Sequence, residues 1–229
     1  MNTHFEDRQQ AGRLLGRRLG HYRNRQDATV LALPRGGVPV GVEVANALGA
    51  PLDLLIVRKL GLPGHDEFAI GAVASGGLRV LDTDVITRLG LARDAIEAVT
   101  HREFAELRRR EQAYGATRSN QDVVGRIVIL VDDGMATGSS MEAAVMAVRK
   151  QAPARIVVAV PVASVEAAMR FRRMADEVVT LLTPEEFSSV GQWYDCFDQL
   201  TDDDVRAAMA QFRRPFRRPE ETAPGGRAD

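Results

Sequence analysis

The chain of 229 residues and 25.0 kDa fits one large α/β domain with a small appendage. Its 45% hydrophobic content and single cysteine, Cys196, exclude disordered, collagenous and disulfide-rich classes, and its net charge of -1 argues against nucleic acid or an anionic membrane as the main partner. Because the sequence has neither a signal-peptide core nor an apolar run near the ~20 residues of a membrane span, we expect a cytoplasmic protein.

The first part of the chain combines helical patterns with short apolar strands. The elements predicted there are, in chain order, a covering helix over 5–22, a strand over 29–33, a helix over 38–48 and a strand over 52–57. The stretch 61–77 that follows is rich in glycine and polar residues, and its apolar segment 69–74 is expected to pair with 78–81 as a hairpin.

The second part begins with a long charged helix, predicted over 92–114, whose interleaved arginines and glutamates we interpret as a solvent-exposed face. The elements predicted after it are strands over 127–131, 156–160 and 178–182 and helices over 140–150 and 165–173. Strands that alternate with helices specify a Rossmann-like parallel sheet flanked by helices.

The division of the chain follows from a change of composition after Pro184, where polar and aromatic residues replace the apolar runs. We expect a core with its covering helix over 1-183 and a small C-terminal hood over 184-214, which includes a helix near 202–212. The tail over 215-229 has the composition of a disordered segment.

The most informative segment follows the strand predicted over 127–131. That strand runs directly into Asp132-Asp133-Gly134-Met135-Ala136-Thr137-Gly138-Ser139-Ser140. Free backbone amides and the start of the next helix form a phosphate site. The two aspartates would repel a phosphate, so they suit sugar hydroxyls or Mg²⁺. A Walker loop is excluded because Ser139 stands where that motif needs lysine.

Two other strand ends carry unusual residues. The strand over 29–33 stops at Pro34-Arg35-Gly36-Gly37, a tight turn, and the strand over 52–57 ends in Arg58-Lys59. In open parallel sheets ligands bind beyond the carboxyl ends of the strands, which places both segments near the acidic loop. The alternative is a plain surface turn and two solvated side chains.

These residues match a known family. The string from Val131 to Ser140 resembles the diphosphoribosyl-binding signature of the type I phosphoribosyltransferases. The segment 32–37 is similar to the family's pyrophosphate loop, and 57–64 is similar to the strand end that introduces the catalytic loop of adenine-type members. The resemblance covers roughly residues 29–182, and the N-terminal helix and the segment 187–197 resemble a group of uncharacterised members.

The resemblance implies transfer of a phosphoribosyl group from 5-phosphoribosyl 1-diphosphate (PRPP), with Mg²⁺, to a nitrogenous heterocyclic acceptor. Asp132 and Asp133 would bind the ribose hydroxyls and the metal, and they form the catalytic set with Arg58 and Lys59. The residues implied for the 5-phosphate are Met135, Ala136, Thr137, Gly138, Ser139 and Ser140. The residues implied for the pyrophosphate are Arg35, Gly36, Gly37, Arg58 and Lys59.

The acceptor side is less defined by the sequence. Phe187, Trp193 and Tyr194 are candidates to stack on a flat heterocycle, and the alternative is that they pack the hood onto the core. Hypoxanthine-guanine members of the family carry an acidic residue at the position of Ala136, so either a 6-oxopurine acceptor is disfavoured or another group must manage its proton. The residues 65–67 fall where the family has its mobile lid.

Three functional hypotheses remain open at this stage. The first is a phosphoribosyltransferase, with a homodimer as the candidate assembly. The second keeps the fold but makes the protein a non-catalytic sensor of PRPP or nucleotides. The third is a nucleic-acid-binding regulator that uses Arg108, Arg109 and Arg110, which the net charge of -1 disfavours.

Overall fold

A computed structural model describes residues 4–62, 65–114 and 123–212, with the side chains of 65–68 left out. The tail predicted over 215-229 and the lid side chains predicted at 65–67 lie outside this description. The helices are α1 (Arg8–Arg18), α2 (Gly37–Leu48), α3 (Thr83–Leu89), α4 (Arg93–Ala113), α5 (Ser139–Arg149), α6 (Val165–Met174) and α7 (Asp202–Gln211). The strands are β1 (Ala28–Ala32), β2 (Leu52–Leu54), β3 (Val57–Leu62), β4 (His65–Ala74), β5 (Leu78–Leu81), β6 (Ile127–Val131), β7 (Arg155–Val162) and β8 (Glu177–Leu182).

The main sheet has five parallel strands in the order β2-β1-β6-β7-β8, which confirms the predicted fold class. Every residue of β1 and β6 is buried, because helices cover both faces of these continuous apolar runs. From β1 the chain continues to β2 on one side of the sheet, and from β6 it continues to β7 on the other side. The crevice of the sheet therefore opens at the carboxyl ends of β1 and β6.

A second sheet corrects the prediction of a single strand over 52–57. Pairing with β1 stops after Leu54, and β3, β4 and β5 form an antiparallel sheet of three strands. The residues between the two sheets, Leu55 and Ile56, are both buried. Because the apolar run continues through the break, hydropathy alone could not place it. The predicted hairpin is confirmed, with Ala72 opposite Val80 in the β4–β5 pair.

Helix α4 corrects a second expectation. The described helix carries a buried stripe at three- and four-residue spacing, formed by Ile96, Val99, Thr100, Glu103 and Leu107. The interpretation of its charges as a solvent-exposed face is therefore wrong for Glu103. The sequence obscured this stripe because a glutamate and a threonine interrupt its apolar residues.

Two segments close the fold around the crevice. Phe5, at the N-terminal side of α1, pairs as an isolated parallel bridge with Tyr194, and the two rings join a small aromatic cluster. Helix α7 packs against α2, with Val205 buried in the larger core. Among the described helices, none combines the length and apolarity needed to cross a bilayer.

Candidate functional site

The loops that follow β1 and β6 lie side by side because Ala32 pairs with Val131 at the ends of these strands. A Cβ on Gly36 would collide with the Asp133 carboxylate, and one on Gly37 would lie 2.6 Å from the Val131 carbonyl oxygen. The peptide bond before Arg35 is cis. The two glycines thus allow the turn after β1 to touch the acidic pair directly.

A cation from the N-terminal helix binds one member of the acidic pair. Arg8 donates through Nε to Asp133 Oδ2 at 2.8 Å and through Nη1 to the Asp198 carbonyl oxygen at 3.0 Å. Its guanidinium lies 3.8 Å from the centre of the Phe197 ring. The side chains of Arg8 and Asp133 are 9% and 14% exposed, so the ion pair is largely shielded from water. Sequence reasoning missed Arg8 because its partner lies on a distant segment.

Burial shapes the electrostatics of the pair. It raises the pKa of Asp132 well above its usual range, and the adjacent Asp133 carboxylate raises it further. Burial also raises the pKa of Asp133, while Arg8 opposes that rise. The pair therefore favours hydroxyl donors or a cation as its partner. Two carboxylates completed by substrate oxygens and water match the way proteins commonly hold Mg²⁺, so the donor set fits that ion.

The glycine-bearing loop after the acidic pair leads into α5. Gly138 has a φ of 75°, and a Cβ there would lie 2.5 Å from the Phe171 ring, so both conformation and space require glycine. Ser164 Oγ donates to the Ala136 carbonyl oxygen at 2.8 Å, and Arg170 Nη2 donates to that of Thr137 at 2.5 Å. These two hydrogen bonds tie the loop to Ser164 and to α6, and the loop leads into the amide end of α5, which suits an anion.

A cavity of about 330 Å³ lies between the start of α5, the segments that follow β1 and β2, and helix α4. Predicted site residues that do not line it include Gly36, Gly37, Asp132, Asp133 and residues 135–138. Pro34 lies on its wall together with Arg58, Lys59, Ser139 and Ser140, so residues predicted from three separate segments meet in one place. The long helix α4 and the residue after it add side chains that were not predicted for the site, namely Arg102, Glu103 and Arg110 from the helix and Tyr114 beyond its end. The surplus of positive charge and the start of α5 suit a phosphate-bearing ligand.

Arg35 lies beside this cavity rather than on its described wall. Its Nη1 is 3.7 Å from Asp202 Oδ1 at the start of α7, and both side chains are about 40% exposed. Such an exposed pair is weak, so Arg35 can exchange its partner for a ligand anion at little energetic cost.

The aromatic residues predicted for the acceptor belong to one small aromatic cluster, in which Tyr194 contacts the rings of Phe5 and Phe197. Tyr194 is buried, and its hydroxyl donates to the Asp133 carbonyl oxygen at 2.5 Å. Burial and the nearby Asp133 raise the pKa of Tyr194, which keeps the hydroxyl protonated. The half-buried Trp193 stacks on Phe187, with ring centres 6.4 Å apart. The structure thus connects Tyr194, and not the other two rings, to the acidic pair.

Removal of Arg8 tests its role in the site. Arg8→Met should lower the free energy of unfolding by about 3 kcal/mol, because the change leaves the shielded carboxylate of Asp133 without its cation. Urea unfolding of the ligand-free protein measures this difference. The control is Arg13→Met on the same helix, whose side chain is 48% exposed and 3.8 Å from Glu43; it should change stability by less than about 1 kcal/mol. Equal losses in the two variants would contradict a special role for Arg8.

Comparison with known proteins supplies independent information. The family profile described as "Phosphoribosyl transferase domain" matches residues 5–192. Proteins from two Mycobacterium tuberculosis strains, each named "putative phosphoribosyl transferase", are 44% identical over 212 residues, covering 93% of this chain and 48% of each relative. The chain spans about half the length of these curated relatives. The crystal structure of TT1426 from Thermus thermophilus has 44% identity and a TM-score of 0.84, covering 91% of this chain and 99% of that one.

Proposed function

The chain belongs to the phosphoribosyl transferase family, and from that premise we propose that it transfers the 5-phosphoribosyl group of PRPP to a nitrogenous heterocycle with release of pyrophosphate. The observation that supports the proposal best is the cavity of about 330 Å³ in which Arg58 and Lys59 meet Ser139 and Ser140. It joins cations suited to a diphosphate with a helix start suited to a second phosphate, and the acidic pair follows the strand that leads into that helix.

Each part of PRPP has a complementary part of the site. The 5-phosphate is bound by the amides and hydroxyls of the loop 135–140. The ribose hydroxyls donate to the carboxylates of Asp132 and Asp133, which burial deprives of hydrogen bonds to water. The diphosphate is bound by Arg58 and Lys59. Arg35 also binds it, after giving up its weak ion pair with Asp202. These contacts fix the sugar with its anomeric carbon open to the acceptor.

The reaction needs positioning and charge stabilisation and no covalent nucleophile. The bond between the anomeric carbon and the diphosphate oxygen breaks, the acceptor nitrogen bonds to that carbon, and the bonding pair leaves with the pyrophosphate. Positive charge develops on the ribose ring, and negative charge grows on the leaving group beside the arginines and the lysine. Mg²⁺, held by Asp132 and Asp133, would add neutralising charge at the diphosphate.

The acceptor is constrained by one position of the phosphate loop. Ala136 is exposed and brings no acidic group to the loop, so the proton of the attacking nitrogen must leave through solvent or another side chain. An acceptor that loses its proton readily in water suits this arrangement better than a 6-oxopurine.

Turnover is the test of the proposal. The protein is incubated with PRPP, Mg²⁺ and each member of a panel of purine, pyrimidine and other nitrogen heterocycles, and pyrophosphate release is followed. We expect acceptor-dependent, saturable release with at least one heterocycle, and none from Asp132→Asn run as a control. Tight binding of PRPP without release across the panel would contradict the transferase and favour the ligand sensor.

A further inference from the structure

A buried carboxylate on α4 joins two arginines at the wall of the cavity. Glu103 Oε2 accepts from Arg58 Nε at 2.9 Å and lies 2.7 Å from Arg58 Nη2. Its other oxygen accepts from Arg102 Nε at 3.0 Å. The Glu103 side chain is 8% exposed, whereas those of Arg58 and Arg102 are 32% and 63% exposed. The carboxylate is therefore the buried centre of the group, and the two guanidinium groups are more accessible to a ligand.

The charge balance of the cavity indicates what role Glu103 has in this group. Among the described side chains that line it, four are cationic, Arg58, Lys59, Arg102 and Arg110, and Glu103 is the single acid. A negative charge in a site for anions weakens binding by Coulomb repulsion. Its presence is useful when it holds cations in place, because one carboxylate can align two guanidinium groups through their Nε–H donors.

We propose that α4 supplies Arg102 as a further diphosphate-binding residue and that Glu103 is the positioning residue that keeps Arg102 and Arg58 side by side. The inference rests on the proposed function, since it assigns these side chains to the diphosphate of the same substrate. It also explains why a helix outside the three strand-end motifs packs against β3, the strand that carries Arg58.

A purely structural role for Glu103 gives different expectations. In that case the group only ties α4 to β3, and its loss affects all ligands alike through general loosening. Positioning of diphosphate cations affects ligands that carry a diphosphate and spares those that lack one. Inorganic pyrophosphate and ribose 5-phosphate provide this contrast, since the second ligand engages the acidic pair and the phosphate loop alone.

The first arm of the test uses Arg102→Gln, titrated calorimetrically with each of the two ligands in Mg²⁺ at fixed ionic strength. We expect the pyrophosphate affinity to fall about tenfold, because one charge-assisted contact is lost, and the ribose 5-phosphate affinity to stay at the wild-type level. The matched control is Arg108→Gln, which removes the same charge from a part of α4 that lines a separate cavity beside Gly76 and Gly77. It should leave both affinities unchanged.

The second arm uses Glu103→Gln with the same two ligands. A purely structural role predicts weaker binding of both, which would overturn the positioning role, and positioning predicts weaker binding of pyrophosphate alone. Loss of positioning weakens pyrophosphate binding although the site has gained a positive charge, while loss of mere repulsion strengthens it. Stronger binding would overturn the assignment of Glu103, and wild-type pyrophosphate affinity in Arg102→Gln would overturn that of Arg102. Should Glu103→Gln fail to fold, Arg102→Gln decides alone. Failure of the wild type to bind either ligand refutes the proposed function itself, and the inference falls with it.

Discussion

Replacing Asp132 and Asp133 together by asparagine is expected to lower the affinity for PRPP at least about 100-fold, since two carboxylate acceptors for the ribose hydroxyls are lost at once. The geometry around the pair should survive, because the amide oxygen of an asparagine can still accept from the backbone N–H of residue 133, as Asp132 Oδ1 does at 2.8 Å. Calorimetric titration with PRPP in Mg²⁺ at fixed ionic strength measures the change.

The control for this variant is the adjacent exposed pair Glu185 and Glu186, replaced together by glutamine. It removes the same formal charge from a part of the chain outside the site and should leave PRPP affinity at the wild-type value. Unchanged affinity in the asparagine variant would withdraw the assignment of the acidic pair to the ribose.

The replacement of Asp132 alone has a consequence for stability. The pKa of Asp132 in the folded protein lies above its value in the unfolded chain, so the folded protein binds a proton that the unfolded chain releases. The free energy of unfolding of the ligand-free wild type therefore falls as the pH rises from the unfolded pKa, about 4, through the raised folded value. Asp132→Asn removes this pH-dependent loss of stability. Its free energy of unfolding should therefore exceed that of the wild type near neutral pH, and the difference should disappear towards about pH 4.

Gly36→Ala is expected to have the second-largest effect. The backbone of Gly36 has φ -58° and ψ -36°, which alanine adopts readily, so the consequence comes from space alone. The added methyl group collides with the Asp133 carboxylate and pushes it away from the Nε–H of Arg8. The displaced carboxylate no longer meets the ribose hydroxyls, so we expect PRPP affinity to fall about tenfold to 100-fold with the protein still folded.

Gly20→Ala is the matched control, because a Cβ at Gly20 meets no atom within 4 Å. Calorimetric titration with PRPP compares the two variants with the wild type, and circular dichroism checks that each is folded. Wild-type affinity in Gly36→Ala would show that the turn after β1 does not close on the acidic pair when ligand is bound.

Much of the architecture was readable from the sequence, and the reason is local. The strands β1, β6 and β7 are short apolar runs bounded by polar residues or helices, and burial on both faces requires that pattern; the edge strand β8 shows a shorter run of the same kind. The acidic pair and the loop after it could be proposed as a site because adjacent residues carry all of the chemistry that the proposal uses. The fold class, which depends on the alternation of such elements, was predicted correctly.

What the sequence did not reveal depends on contacts between distant segments. Arg8 lies 125 positions from Asp133, and Glu103 lies 45 positions from Arg58, so neither pair produces a local pattern. The change of sheet between Leu54 and Val57 was hidden for another reason. The residues there are buried on both sides of the break, and hydropathy records burial without recording which strand is the neighbour.

The central claim is that the strand-end loops and the cavity form one site for PRPP, and a crystal structure of the protein with PRPP and Mg²⁺ tests it most directly. The account predicts the 5-phosphate on the loop 135–140, the ribose hydroxyls at Asp132 and Asp133, and the diphosphate in the cavity beside Arg58 and Lys59. Density for PRPP away from the acidic pair, or a diphosphate bound outside the cavity, would contradict it.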